Sequence, residues 1–283
     1  MLVITPKSSP APQEVKLEME VTEDEKRQIV MKFIESAPPG ALGDIVNVSL
    51  DLRVILQGAD IDSLLKESCK KYNENNYAIT RIDDEKTQNI VCSYNKADTE
   101  KDLYYNPKSG TIFSIDHLSL EGKSVGQMER NEDEVTTEYE SYLNDYYSNP
   151  HSLVLKEGKE LVLICTAVKN AKWSSIWKID EDKFLAIGTI KADAHYFEDG
   201  NVQMKCQKEF QIKLDSMDAK TVVKKIKSLE EKFQLSISES YEEICETTFK
   251  SLRRALPVTR NKIDWEKILT YKIGSELVAN KEK

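Results

Sequence analysis

Residues 122–126, GKSVG, match the G-x-S-x-G pattern that places a serine nucleophile on a turn between a strand and a helix. A nucleophile at this turn needs an apolar helix after it, but the following segment, QMERNEDEV, is polar throughout. The same residues resemble the end of a phosphate-binding loop, except that His117 stands where such a loop requires its first glycine. We therefore expect a solvated loop at 122–126 and no catalytic serine.

The other residue types that could bind a metal or act in catalysis are scattered along the chain. His117, His151 and His195 each lie near the end of a predicted strand, and none has a second ligand at metal-site spacing. The cysteines, which contain no C-x-x-C pair, are Cys69, Cys92, Cys165, Cys206 and Cys245. An odd number without such spacing indicates reduced, mostly buried thiols in a cytoplasmic protein. We expect neither a cofactor nor a metal, and no enzymatic activity.

Positive charge is concentrated in residues 250–272 of a chain whose net charge is -9. This segment has seven basic and two acidic residues, a net charge of +5, so that the rest of the chain carries -14. Cations at the end of a helix complement the helix dipole. Since the charge continues beyond Pro257, we favour an interaction surface for an acidic partner. The basic residues are Lys250, Arg253, Arg254, Arg260, Lys262, Lys267 and Lys272.

Composition excludes several classes of partner. A pI near 5.2 argues against general nucleic-acid binding, which requires a basic surface that replaces counterions. No apolar run approaches the ~20 residues of a transmembrane helix, so we expect no transmembrane segment. The N-terminus lacks the features of a signal peptide. Its proline and serine content predicts a flexible arm over residues 1–20, before a single domain over 21–283.

Residues 21–75 are predicted to form a stack of three helices. Thr22 followed by Glu25 has the spacing of a capping box, which marks the start of the first helix. Its apolar stripe consists of Ile29, Val30, Phe33 and Ile34. The sequence PPG at 38–40 ends this helix, and residues 43–57 and 61–73 have the patterns of two further short helices.

Residues 76–118 predict small strands, since they are rich in β-branched and aromatic residues around the turn sequence NPKSG. A charged helix is expected at about 132–147. Residues 150–215 then predict a five-stranded antiparallel meander, which has one buried face and two edges. Trp173 and Trp177 lie on one face of a predicted strand in this sheet, where we expect them to pack in the core.

The longest predicted helix runs from 218 to 256 and would be roughly 50 Å long. One apolar stripe along a long helix is typical of a helix that lies across a sheet. A sheet wide enough to support this helix exceeds five strands, which predicts that the sheet continues into another subunit. Residues 258–283 are predicted to form a second, amphipathic helix, which could either dock on its own domain or project and bind in a groove. The fold class is thus α+β.

Two long motifs resemble the alpha subunit of the F-actin-capping protein family. LRRALPVTRNKIDWEKIL at 252–269 is similar to the family's Leu-Arg-Arg-x-Leu-Pro-Val-Thr-Arg stretch and the Lys-Ile-x-Trp that follows it. AHYFEDGNVQ at 194–203 is similar to the family's His-Tyr-Tyr-Glu-Asp-Gly-Asn-Val hairpin. Weaker similarities occur at 32–40, 112–118 and 145–152. The resemblance runs in order from about residue 24 to 275.

The resemblance implies an elongated dimer of similarly folded alpha and beta subunits. Each subunit contributes three N-terminal helices, small strands, five strands of a joint antiparallel sheet, a long helix across it and a C-terminal helical tentacle. The implied activity is capping of the barbed, fast-growing end of actin filaments, without chemistry. Carried over by position, the expected actin-binding residues are Lys250, Arg253, Arg254, Arg260, Lys262, Trp265, Ile268 and Leu269.

The partner and the regulators stay open at this point. The resemblance favours a heterodimer with a capping protein beta subunit, and since the two subunits share a fold, a homodimer is the alternative. It also implies a cytoplasmic, cytoskeletal location and regulation by phosphoinositides and protein inhibitors. An alternative function is a phosphoinositide- or anionic-membrane-binding adaptor that uses the same basic residues. The chain departs from the family pattern at Ser174, where arginine is usual, and at Ala41, where glutamate is typical.

Overall fold

The computed structural model describes seven stretches of the chain: residues 22–47, 61–83, 88–98, 101–130, 133–169, 171–196 and 202–249. The predicted arm at 1–20 lies outside the described residues, as do most of the predicted helix at 43–57 and everything from residue 250 onward. Within the described residues the chain folds into a helical stack, two antiparallel-rich sheets and a long helix, which confirms the α+β class.

In the described part of the chain, three helices precede the first strand: α1 Glu23–Glu35, α2 Leu42–Asn47 and α3 Ile61–Asn75. The predicted capping box at the start of α1 is confirmed, since the Thr22 amide donates to Glu25 Oε2 at 2.9 Å and the Glu25 amide donates to Thr22 Oγ1 at 3.3 Å. These bonds satisfy backbone donors that a helix start leaves without partners.

The apolar stripe of α1 is narrower than predicted. Val30 and Ile34 are buried and pack against Leu65 and Cys69 of α3. Ile29 and Phe33 are instead 57% and 49% exposed. One neighbouring helix covers only about a third of the circumference of another, so the two outer positions of a four-residue stripe stay at the surface.

The first sheet has six strands in the order β2-β1-β6-β5-β4-β3. Their bounds are β1 Ala78–Ile82, β2 Gln88–Val91, β3 Lys96–Asp98, β4 Leu103–Asn106, β5 Thr111–Asp116 and β6 Glu121–Gln127. β1 to β5 lie within residues 76–118, where small strands were predicted, whereas β6 follows this range. The expected solvated loop at 122–126 is wrong, because GKSVG lies within β6 between β1 and β5. Gly122 permits this, since a Cβ there would lie 3.0 Å from the Arg81 carbonyl oxygen of β1.

The second sheet is the predicted five-stranded meander, with strands in the order β11-β10-β9-β8-β7 and all pairs antiparallel. Its strands are β7 Pro150–Glu157, β8 Glu160–Val168, β9 Ala171–Asp180, β10 Leu185–Tyr196 and β11 Val202–Lys213. The predicted charged helix is α4 Glu134–Tyr146, which lies beside this sheet. One face of the sheet therefore packs on helices.

The main core lies between the five-stranded sheet and a long helix, α5 Ala219–Ile244. Trp173 and Trp177 of β9 have no exposed surface, which confirms their predicted place in the core. The predicted helix is α-helical as far as Ile244 and continues as a π-helical turn, Cys245–Phe249, whereas its predicted last residues, 250–256, lie outside the described residues. At 26 residues α5 is about 39 Å long.

The cysteines are free thiols, and all except the partly buried Cys206 are buried, as predicted. Across the residues that the structure describes, no helix has the length and apolar character needed to span a lipid bilayer.

Candidate functional site

Helix α5 is the element that leads into the basic segment. Its first turn is fixed by Asp218, whose Oδ2 accepts a hydrogen bond from the Thr221 amide at 3.1 Å, the geometry of an N-cap. Six apolar residues of α5, with spacings of one to seven, are buried in the core that this helix forms with the sheet. They are Ala219, Val222, Val223, Ile226, Phe233 and Ile237. These apolar contacts therefore hold the first five turns of α5 against the sheet.

A buried carboxylate interrupts this apolar stripe. Glu230 is fully buried, and its oxygens accept hydrogen bonds from Tyr142 Oη at 2.8 Å, Tyr147 Oη at 2.7 Å and Trp177 Nε1 at 2.8 Å. Burial, followed by the charge of Glu230, raises the pKa of both tyrosines, so their hydroxyls remain donors at neutral pH. Sequence reasoning missed this residue, although a charged side chain four residues after Ile226 stands out within an apolar stripe.

The last two turns of α5 differ from the first five. No α5 residue after Ile237 is buried, and Ile244 is 43% exposed. Three exposed acidic residues lie here, Glu239, Glu242 and Glu243, and the last turn of α5 carries no basic residue. Helix-dipole compensation acts mainly within the last turn. In the described part of α5, no basic side chain therefore offsets the dipole at this end.

The predicted actin-binding residues all lie outside the described residues: Lys250, Arg253, Arg254, Arg260, Lys262, Trp265, Ile268 and Leu269. The structure does describe the residues immediately before them, up to Phe249 in the π-helical turn. Turns of this kind are often found at functional sites and at places where a helix changes direction.

A second cluster of titratable side chains joins α3 to the six-stranded sheet. His117 Nδ1 lies 3.4 Å from Asn73 Nδ2, and His117 Nε2 lies 3.2 Å from Tyr104 Oη. The Tyr104 hydroxyl donates to Glu74 Oε1 at 2.6 Å, and Lys96 forms an ion pair with that same oxygen at 2.8 Å. Because Asn73 and Tyr104 already donate, the histidine is assigned as neutral with its proton on Nε2.

These bonds give His117 a structural role, and they make folding depend on pH. Burial lowers the pKa of His117, so the unfolded chain binds a proton before the folded protein does. We expect the free energy of unfolding to decrease as the pH falls below about 6.5, by at most about 1.4 kcal/mol per pH unit for one histidine. Urea unfolding between about pH 7.5 and pH 5.5 measures this change.

Two variants show which histidine is responsible for the pH dependence of stability. Burial also lowers the pKa of His151, so both histidines contribute with the same sign. His117→Gln should remove one histidine's share of the pH dependence and leave the share of His151, and His151→Gln should do the reverse. If wild type and His117→Gln lose stability equally on acidification, the role assigned to His117 is wrong.

The remaining features offer no further catalytic or metal centre within the described ranges. No group of three or more His, Cys, Asp or Glu side chains there could hold a metal ion. A cavity of about 320 Å³ between the two sheets and α4 is lined by polar and apolar side chains, among them Asn89, Asn106 and Leu143. The structure is thus a scaffold that carries a long helix on a sheet and leads directly into a basic segment.

Comparison with known proteins shows which family this chain belongs to. The sequence profile of the family described as "F-actin capping protein alpha subunit" matches residues 30–276. The chain therefore belongs to the F-actin-capping protein alpha subunit family, as its motifs indicated.

Individual relatives cover almost the whole chain. The F-actin-capping protein subunit alpha of Caenorhabditis elegans is 31% identical over 291 aligned positions, which cover 91% of this chain and 99% of the relative. The corresponding subunit of Chaetomium thermophilum is 29% identical and covers 91% of this chain and 97% of its own length. A solved structure described as a homodimeric actin capping protein alpha subunit from Plasmodium berghei aligns with a TM-score of 0.61 and 22% identity, over 84% of this chain and 99% of that one. At that identity the match supports the fold alone.

Proposed function

We propose that the chain is one subunit of a dimeric protein that caps the barbed ends of actin filaments and blocks the addition and loss of actin subunits there. Membership of the capping-protein alpha family carries this proposal. The function needs no catalysis and no cofactor, only a surface that binds the filament end. It also implies a cytoplasmic, cytoskeletal location. Elongation of actin from filament seeds tests the proposal, since the assembled protein should stop growth at substoichiometric amounts.

The surface that we assign to this function is the basic segment after α5. Lys250, Arg254 and Lys262 carry its central charges, and Arg253, Arg260 and Trp265 lie beside them in the sequence, followed by the apolar Ile268 and Leu269. Actin is acidic, so a segment of net charge +5 gains complementary contacts that the acidic remainder of the chain cannot offer. Family membership favours the filament end over an anionic membrane as the partner of this surface.

Dimer formation is supported by an edge strand. The 12 residues of β11 pair with β10 on one side, and no strand of the described ranges pairs with the other side. Such an edge is a template for pairing with another chain. The face of β11 that packs toward α5 carries Met204, Phe210 and Ile212, which are only partly buried. A neighbouring strand from a second subunit would extend the sheet and cover them.

The length of α5 supports the same arrangement. Five strands span about 19 Å between the outer strand axes, whereas α5 is about 39 Å long. Ile244 is 43% exposed, although its spacing places it on the same face of α5 as Ile226, so the end of the helix carries apolar surface that the described residues leave uncovered. We propose that a second subunit lies beneath this part of α5. A beta subunit is the favoured partner, and a second copy of the chain is the alternative.

The mass of the purified protein decides between these partners. We expect the chain alone to aggregate or remain a monomer of 32.4 kDa, because an uncovered β11 edge and apolar helix surface need a partner. Co-expression with a capping protein beta subunit should give a stable one-to-one complex. Light scattering after size-exclusion chromatography measures both. A stable species of the chain alone at twice its monomer mass would instead establish the homodimer.

A further inference from the structure

We propose that Glu230 sets the register of α5 on the five-stranded sheet and so positions the functional segment that begins at Lys250. Within the described ranges Glu230 is the one Asp, Glu, Lys or Arg side chain that is buried. It forms no ion pair with any described residue, so its carboxylate is held by hydrogen bonds alone. The second half of the proposal, the effect on the segment, rests on the proposed function.

The donors to Glu230 come from two neighbouring elements. Tyr142 lies in α4 and Tyr147 directly after it, whereas Trp177 belongs to β9. One turn further along α5, Gln234 Nε2 donates to Tyr147 Oη at 3.2 Å, and Gln234 Oε1 accepts from Tyr146 Oη at 3.1 Å. The carboxylate and the amide together tie α5 to both α4 and the sheet.

Apolar contacts alone would not choose one register for this helix. Val222, Ile226, Phe233 and Ile237 are spaced so that a shift by one turn, about 5.4 Å, again presents apolar side chains to the sheet. Burial of apolar surface is non-directional, so such shifted arrangements retain much of the stabilisation. The hydrogen bonds of Glu230 do not survive the shift.

A shifted helix would leave a buried carboxylate and three buried donors without partners, which is far more costly than an imperfect apolar contact. A single buried polar residue is the device by which coiled coils fix their register, and the same physics applies to a helix on a sheet. Glu230 thus excludes the alternative registers that the apolar stripe permits.

The register matters because the end of α5 depends on it. Ile244 lies 14 residues after Glu230, about 21 Å along the helix. No α5 residue after Ile237 is buried, so the anchored part determines where the last turns point. A sliding or rotated helix would move Lys250 and the residues after it relative to the sheet.

Glu230→Met tests the proposal, because it keeps the apolar stripe and side-chain volume but removes the acceptor. Spin labels at the exposed positions Glu239 of α5 and Lys183 of the β9–β10 turn report the helix position in the assembled protein. We expect one narrow distance in wild type, and a broadened or second distance in Glu230→Met. Capping affinity per folded protein should fall by about tenfold or more.

Three further variants make the result specific. Glu230→Gln keeps an acceptor for Trp177 and a polar group for the tyrosine hydroxyls, so it should restore the single distance. Ile226→Ala removes buried apolar volume without touching the hydrogen bonds, so it should lower stability and keep the single distance. Tyr142→Phe removes one donor, should broaden the distance, and carries the test if Glu230→Met does not fold.

The outcomes separate this inference from the proposed function. A distance in Glu230→Met as narrow as in wild type, at the same value, overturns the register role. If instead Glu230→Met broadens the distance while wild type does not cap actin, the register role stands and the proposed function fails. If Glu230→Met broadens the distance and caps like wild type, the positioning half of the proposal is wrong.

Discussion

Reversing the charges of Lys250, Arg254 and Lys262 together should weaken capping of actin filament seeds by about 100-fold or more. Each reversal replaces attraction to an acidic partner by repulsion, and about 1 kcal/mol lost at each of three positions multiplies to this factor. The expected change lies mainly in the dissociation rate, with a smaller fall in the association rate at low salt. The triple variant Lys250→Glu, Arg254→Glu, Lys262→Glu in a seeded elongation assay measures it.

A matched control changes the same total charge elsewhere. Lys66, Lys123 and Lys169 are exposed lysines of α3, β6 and the β8–β9 connection. Their triple replacement by glutamate makes the chain equally more acidic without touching the basic segment, so it should cap nearly as well as wild type. If the control and the test variant lose capping to the same extent, net charge and not this surface determines binding.

Gly188→Ala should be among the most destabilising single substitutions in the chain. Gly188 of β10 lies opposite Trp177 of β9, and an added Cβ would lie 2.2 Å from Trp177 Cε3 and 2.3 Å from Cζ3. The indole has no exposed surface into which it could move, and its displacement would break the hydrogen bond to Glu230. We expect a loss of about 3 kcal/mol in the free energy of unfolding, measured by urea denaturation.

Gly126→Ala is the control for this prediction. Gly126 is also a strand glycine, but a Cβ there would meet only Ile112 Cδ1 at 3.9 Å, an ordinary contact. Its replacement should change the free energy of unfolding by less than about 1 kcal/mol. Equal effects of the two substitutions would show that crowding against Trp177 does not decide the cost at Gly188.

Elements with strong local signals could be predicted from the sequence. The residue types at Thr22 and Glu25 are sufficient to predict the capping box. The strands of the meander are joined by short turns, and this pattern predicts antiparallel pairing of neighbouring strands. Strand β6 carries no such signal. GKSVGQ has two glycines and one β-branched residue, and it is a strand because β1 and β5 pair with it on both sides. Such pairing between distant segments is not visible in a local pattern.

The candidate site, too, could be predicted only in part. The charge and the motif of residues 250–272 predicted the basic segment, because a cluster of seven basic residues can be recognised without a structure. The role of Glu230 was not visible, since most glutamates on a helix are solvated and only the fold brings Tyr142, Tyr147 and Trp177 to it. The exposure of Ile29 likewise depends on which neighbour covers α1.

Growth of single actin filaments, observed at both ends by fluorescence microscopy, tests the central claim most directly. With the assembled protein present, the fast-growing end of each filament should stop elongating while the slow-growing end continues. The variant with reversed charges at Lys250, Arg254 and Lys262 should leave both ends growing. Continued growth of the fast end in the presence of excess wild-type protein, or arrest of the slow end alone, would contradict a barbed-end capping function.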